Sequence, residues 1–165
     1  MNTGQMLVTI CALTLLSVVL LRVNANILDN GEIFFDTKFN VVAISLATST
    51  IEEASKKTFD ESTSAGSVVT ENTLTPVSDL GPDAGETYAT YDDFDDFDGY
   101  TKVESSLPSA EFNISCNVDY IVVNGGKLNH SNTQTWNKRI KVTVTSPSMQ
   151  DTVVMTSLFS YWFFR

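Results

Sequence analysis

The chain has 165 residues and a net charge of −10, with ten Lys and Arg against twenty Asp and Glu. That length allows one modest domain, and the acidic balance excludes nucleic acid or anionic lipid held by a basic patch. The charge is also uneven: between Asp60 and Glu111 thirteen acids meet the single base Lys102, whereas both ends are apolar or mixed.

The first element is apolar. Residues 5–21, QMLVTICALTLLSVVLL, carry no charge and as a helix would span roughly 25 Å at 1.5 Å per residue. Continued through Val23, residues 5–23 become long enough to meet membrane lipid across a bilayer core. An uncleaved anchor is the preferred reading. A cleaved export signal ending at Val23-Asn24-Ala25 and a buried core helix stay open as alternatives. A lipoprotein signal is disfavoured because Cys11 comes early and follows the bulky Ile10. Arg22 on the C-terminal flank gives a weak bias toward a cytoplasmic domain.

Asn, Asp and Gly in residues 24–32, NANILDNGE, are expected to interrupt that helix, and Asp29 with Glu32 has the spacing of a capping box. Phe35, Phe39, Val42 and Leu46 then recur at helical spacing, with Ala43, Ala47, Ile51 and Ala54 continuing the stripe. This predicts a separate amphipathic helix to about Phe59, docking through Phe39, Val42 and Leu46. Glu52 with Lys56 and Glu53 with Lys57 form i,i+4 pairs of about 0.2–0.5 kcal/mol each on its solvated face.

Residues 60–90 are rich in Ser, Thr, Gly, Pro and acids without a sustained period, and read as a long loop. Alternation follows. Phe112, Ile114, Cys116, Val118, Tyr120 and Val122 point one way, and Asn113, Ser115, Asn117 and Asp119 the other. A second strand sets Ile140, Val142 and Val144 against Lys141 and Thr143, and a third covers TVVMTSLFSYWFF from residue 152, with faces too apolar to assign. His130 falls in the polar connection LNHSNTQT and is expected in an exposed loop. Cys11 and Cys116 are not expected to meet, and no Cys/His pair has zinc spacing. The layout is α+β: a membrane anchor or signal-like helix over 1–25, an amphipathic helix over 26–60, an acidic loop over 61–100, and an antiparallel sheet over 101–165 that needs the helix as a lid.

The acidic turn at residues 91–100, YDDFDDFDGY, invites a metal reading. An EF-hand match fails, because counting back from Gly99 puts Phe94 where the first ligand belongs. A non-EF calcium site built from Asp93, Asp95, Asp96 and Asp98 stays open. The alternative is a turn pinned to the core by Tyr91, Phe94, Phe97 and Tyr100 while its aspartates remain in water. No enzymatic motif occurs: there is no G-x-S-x-G, no phosphate loop and only one histidine. No organic cofactor is implied.

The order of apolar helix, amphipathic helix, loop and sheet, with SLATSTIEEASKKTFDE at residues 45–61 and DDFDDFDGY at 92–100, resembles the type IV pilin-like and pseudopilin family. The nearest resemblance is to minor pilin-like proteins of the mannose-sensitive haemagglutinin type. It implies a structural, non-enzymatic subunit of a pilus or type II secretion assembly. Its partners would be other pilin-like subunits and assembly machinery, and its location the bacterial inner membrane with a periplasmic domain, or an extracellular filament. The family's leader usually ends in glycine, so the implied cut lies between Gly4 and Gln5. The family's glutamate, fifth after the cut, is here Thr9, and the leader MNTG has no base. That departure points to a tip or initiating position. Thr9, Ala12, Thr14 and Ser17 would supply small and polar breaks for close helix packing. The competing reading is a membrane-anchored or secreted binding module that acts alone, with calcium as an optional ligand.

Overall fold

The computed structural model describes residues 2–64, 66, 70–108 and 110–164. The side chains of Asp29 and Glu32 lie outside the described residues, and with them the expected capping box; residues 65 and 67–69 of the acidic loop lie outside as well. The chain divides into two compact units, Met1–Lys38 and Phe39–Arg165.

One helix, α1, runs unbroken over Thr3–Ala54, 52 residues. The interruption expected at residues 24–32 does not occur. Asn, Asp and Gly are weak breakers, costing at most about 1 kcal/mol each in a helix interior, and no proline removes a backbone donor there. Within Met1–Lys38 the large apolar side chains are exposed, Leu7 at 65% and Leu21 at 69% among them. Among the described residues α1 is the one helix long and apolar enough to cross a membrane.

Within Phe39–Arg165 the same helix has a buried stripe. Phe39, Ala43, Ala47, Thr50 and Ala54 are buried, at spacings of three and four, whereas Val42 and Leu46 are only partly buried and flank the core. The expected contact line is therefore rotated: Phe39 holds its place, but alanines occupy the centre. Ala43 and Ala47 are fully covered, as a small side chain must be where a helix lies close on a sheet. Phe39 meets Phe112 edge-on at 6.4 Å.

The helix also stops at Ala54, five residues before the expected end at Phe59. Lys56 N and Lys57 N bond to the carbonyls of Glu53 and Ala54, tightening the last turn, and Thr58 N then donates to Asp92 O at 3.1 Å while Phe94 N donates to Thr58 O at 3.0 Å. This short parallel pairing of Thr58 with Asp93 takes the backbone out of the helix. A tertiary partner ends α1, since no glycine or proline stands there. The expected Glu53–Lys57 pair separates accordingly: Lys57 Nζ donates to Tyr91 O, and Glu53 accepts the Tyr88 hydroxyl.

The sheet contains β1 (Thr101–Glu104), β2 (Phe112–Asn124), β3 (Lys127–His130), β4 (Asn137–Thr145) and β5 (Val153–Ser160). All pairs are antiparallel, in the order β1-β2-β4-β5, with β3 folding back on the end of β2. The three expected strands correspond to β2, β4 and β5. Two short ones were not legible. β1 is an exposed edge strand of four residues. β3 closes a hairpin over Gly125 and Gly126, both left-handed at φ 60° and 76°, the geometry a two-residue primed turn demands. His130 is exposed as expected but sits at the end of β3, not in a loop. The third strand ends at Ser160, and residues 161–164 form a 3-10 turn.

Alternation on β2 holds from Phe112 to Val118 and then fails, because Asp119 and Ile121 are buried on the second face. A short helix α2 (Glu61–Ser64) and 3-10 turns at Glu71–Thr73 and Val77–Asp79 carry the acidic loop, whose Leu74 reaches the core.

Candidate functional site

The acidic turn is pinned by its rings as expected. Phe94 and Phe97 are fully buried, Tyr91 nearly so, and Tyr100 partly; Phe94 packs on Phe159 with centroids 4.7 Å apart, and Tyr91 on Phe97 at 5.4 Å. The expectation that the aspartates stay in water is overturned. Asp93, Asp95 and Asp96 are 3%, 2% and 4% exposed, because the chain between the rings enters a short 3-10 turn and is pulled under with them.

Buried carboxylates need donors. Asp93 Oδ1 accepts the backbone N–H groups of Asp95 and Asp96, Asp96 Oδ2 accepts those of Asp92 and Asp93, and Asp98 Oδ1 accepts Val118 N and Asn117 Nδ2. Asp95 faces a cation. The oxygens of Asp93, Asp96 and Asp98, which a non-EF calcium site would use, accept donors that hold the turn, and Asp95 faces Lys138. A different trio, Glu86, Asp92 and Asp96, brings one carboxylate oxygen each within 4.8 Å of one another at the rim. Only Asp96 is shared with the four aspartates left open as a calcium site. Repulsion shows at this rim, where the charge of Asp92 pushes the Glu61 carboxyl up.

Lys138 is the centre of the site. It is fully buried, and its ammonium donates to Phe59 O at 2.9 Å, Asp60 Oδ2 at 2.8 Å and Asp95 Oδ1 at 2.5 Å, which uses all three of its protons. The rings of Phe59 and Tyr120 flank it at 4.8 and 5.1 Å. Asp60 is as deeply buried and is the better solvated acid: Ser62 N and Oγ, Thr75 N and the Tyr120 hydroxyl also donate to it. Burial alone would raise its carboxyl, but the charge and hydrogen bond of Lys138, with the other donors, hold it below the ordinary value. Burial raises Asp95 in spite of Lys138. Asp93, desolvated and next to Asp95, is pushed up to about 9 and is a neutral acid at pH 7.

Neither Asp60 nor Lys138 was singled out from the sequence. The signal was present for one of them: Lys138 shares parity with Ile140, Val142 and Val144, so it belongs to the inward face of β4. Asp60 had no such signal. It follows the helix in a polar stretch, and only the approach of Thr75 and β4 encloses it.

A second ionic group lies on the outward face. Asp119 accepts Arg139 Nε at 2.9 Å and Nη2 at 2.6 Å, and His130 Nδ1 lies 3.0 Å away. On the inward face, burial pushes the Cys116 thiol up to about 12, with the Asp98 charge adding, which disfavours the reactive thiolate.

The sequence-derived positions on α1 form no comparable site. Gly4 and Gln5 lie in its first turn, and Thr9, Ala12, Thr14 and Ser17 are exposed. The three hydroxyls turn back on their own helix: Thr9 to Met6 O, Thr14 to Cys11 O and Ser17 to Leu13 O, at 2.8–2.9 Å. So satisfied, they cost little in an apolar surrounding.

No family model matches this chain, nor does any curated protein or solved structure.

Proposed function

We propose that this protein is a non-enzymatic, pilin-like or pseudopilin-like minor subunit, held in a membrane by the first part of α1 until it joins an assembly. The observation that carries this reading is α1 itself: one uninterrupted helix whose early residues expose their apolar side chains and whose later residues, from Phe39, form the lid of an antiparallel sheet. A mere anchor has no need to share its helix with the domain core. A subunit that packs by helix against helix gains from it, because the apolar half can exchange lipid for neighbouring helices without disturbing the sheet. The backbone-satisfied Thr9, Thr14 and Ser17, with Ala12 between them, suit both surroundings. Thr9 in place of an acid favours a tip or initiating role over a repeating one. The folded domain lies outside the cytoplasmic membrane in this reading, against the weak bias of Arg22.

The test is the N-terminal sequence of protein recovered from the cell envelope, followed by crosslinking from position 12 or 16. A start at Met1 or Gln5 with crosslinks to other pilin-like proteins is the expected result. A start at Asn26 would show a cleaved export signal and end the filament reading, and a retained helix that crosslinks only to lipid or to itself would favour a solitary anchored module.

A further inference from the structure

We propose that Lys138 and Asp95 are joined by an intramolecular amide, formed between the lysine Nζ and the aspartate Cγ with loss of one water, and that Asp60 moves the protons. This goes beyond the subunit reading and does not rest on it.

Three features set Lys138 apart from an ordinary ion pair. The nitrogen is held against the carboxyl it would attack, Nζ to Oδ1 at 2.5 Å, by a side chain with no exposed surface. Such fixed proximity replaces a bimolecular encounter with an intramolecular one. The surroundings are dry, with the Phe59 and Tyr120 rings on either side and no exposed surface on Lys138, so no bulk water stands between nitrogen and carboxyl. The two acids are also unequal. Asp60 is ringed by donors and stays an anion, the state a base needs; Asp95 is shifted toward the neutral acid, the state an electrophile needs. Pairs of carboxyls pushed apart in this way mark the division of acid and base work. Asp93, hydrogen-bonded to the Asp95 side chain and itself neutral, polarises the carbonyl in the direction that favours attack.

The step balances without any co-reactant. One ammonium proton passes to Asp95, leaving an amine and a carboxylic acid. Nζ adds to Cγ, and the N–C bond forms. Asp60 Oδ2, 2.8 Å from Nζ, takes a proton from the nitrogen and returns it to the departing hydroxyl. The C–O bond breaks, water leaves, and Asp60 ends as the anion it was, with the Ser62, Thr75 and Tyr120 donors in place. The product ties the acidic turn to β4 across 43 residues of sequence. It also removes a buried ammonium that would otherwise have to be kept charged.

The experiment is the intact mass of the full chain, purified in detergent and fully denatured, referred to its observed N-terminus. The expected mass is one water below that of the sequence. Trypsin should fail to cut after Lys138, and a branched peptide should contain both Lys138 and Asp95. The unreduced sequence mass with two separate peptides would overturn the proposal. So would a water loss confined to a linear peptide, as a succinimide at Asp98-Gly99 would give. In Lys138→Arg and Asp60→Asn the mass should return to that of the variant sequence; a link that persists in Asp60→Asn would overturn the role of Asp60. The wild-type spectrum alone decides whether the bond exists, whatever the variants do to folding.

Discussion

Lys138 and Arg139 are neighbours on β4, and each faces an acid across the sheet or beyond it, yet their surroundings are opposite. On adjacent rungs of the same ladder, Tyr120 stands opposite Lys138 and Asp119 opposite Arg139. One pair of rungs points inward, where the lysine has no exposed surface; the other points outward, where the Arg139 side chain is 30% exposed. The inner cation has two carboxylates, a carbonyl and two rings around it. The outer one makes a two-pronged contact with a single carboxylate, shared with His130. Two cation–carboxylate contacts one residue apart therefore have different consequences. Inward, the group cannot be removed without stranding charge in a dry core; outward, the largely covered Asp119 keeps His130 beside it and the Arg139 side of the pair is open to water.

The largest expected effect sharpens this contrast. Lys138→Ala should destabilise the protein by about 3–5 kcal/mol, the cost of leaving a buried charge without its partner. A loss under 1 kcal/mol in denaturant melts in mild detergent would mean that water reaches the inner face.

Next comes pH. Asp93 binds its proton more tightly in the folded state, so its contribution is most favourable below the ordinary carboxylate range and is lost as pH rises toward about 9. One extra proton on the folded side lowers stability by at most about 1.4 kcal/mol per pH unit. Asp60 has the opposite sign and matters only in acid, where stability falls as pH drops below its unfolded value. Melts between pH 5 and 8 should therefore show a falling trend that becomes shallower in Asp93→Asn, the remainder coming from Asp95, which burial also raises. An equal slope in both proteins would place Asp93 in water.

The inner face is inner because α1 covers the sheet. Ala47→Leu, which adds three carbons where no space is exposed, should cost about 1–3 kcal/mol by overpacking. Leu46→Ala, at a half-covered position, should cost less than the roughly 2–5 kcal/mol of a fully buried leucine. The reverse ranking would restore Leu46 to the centre of the contact.

On the outward side Arg139→Ala should cost about 1–2 kcal/mol, with the loss shrinking at high salt because the pair is partly exposed. The smallest expected effect is that of calcium. Millimolar Ca²⁺ should scarcely move the melting temperature, since Asp93, Asp96 and Asp98 already accept backbone donors and Asp95 faces Lys138. A large, saturable shift that Asp92→Asn abolishes would instead give the rim trio a cation.

What was legible in the sequence is periodic or continuous: the apolar run of residues 5–21, the stripe from Phe39, and the alternation of β2 and β4. Repetition every 3.6 or 2 residues reports a face without knowledge of its partner. The rings of the acidic turn were legible too, because four aromatics in ten residues seek cover wherever they lie. Tertiary structure decided the rest. It ended α1 at Ala54 by pairing Thr58 with the acidic turn, it chose Ala43 and Ala47 over Val42 and Leu46 by the closeness of the sheet, and it drew three aspartates out of water. Above all it brought Asp60, Asp95 and Lys138 together from positions 43 and 78 residues apart. A charged residue in a sequence reads as solvated because that is its cheapest state alone. Only a folded chain that delivers opposite charge and hydrogen-bond donors to the same point makes burial affordable, and no local pattern records that delivery.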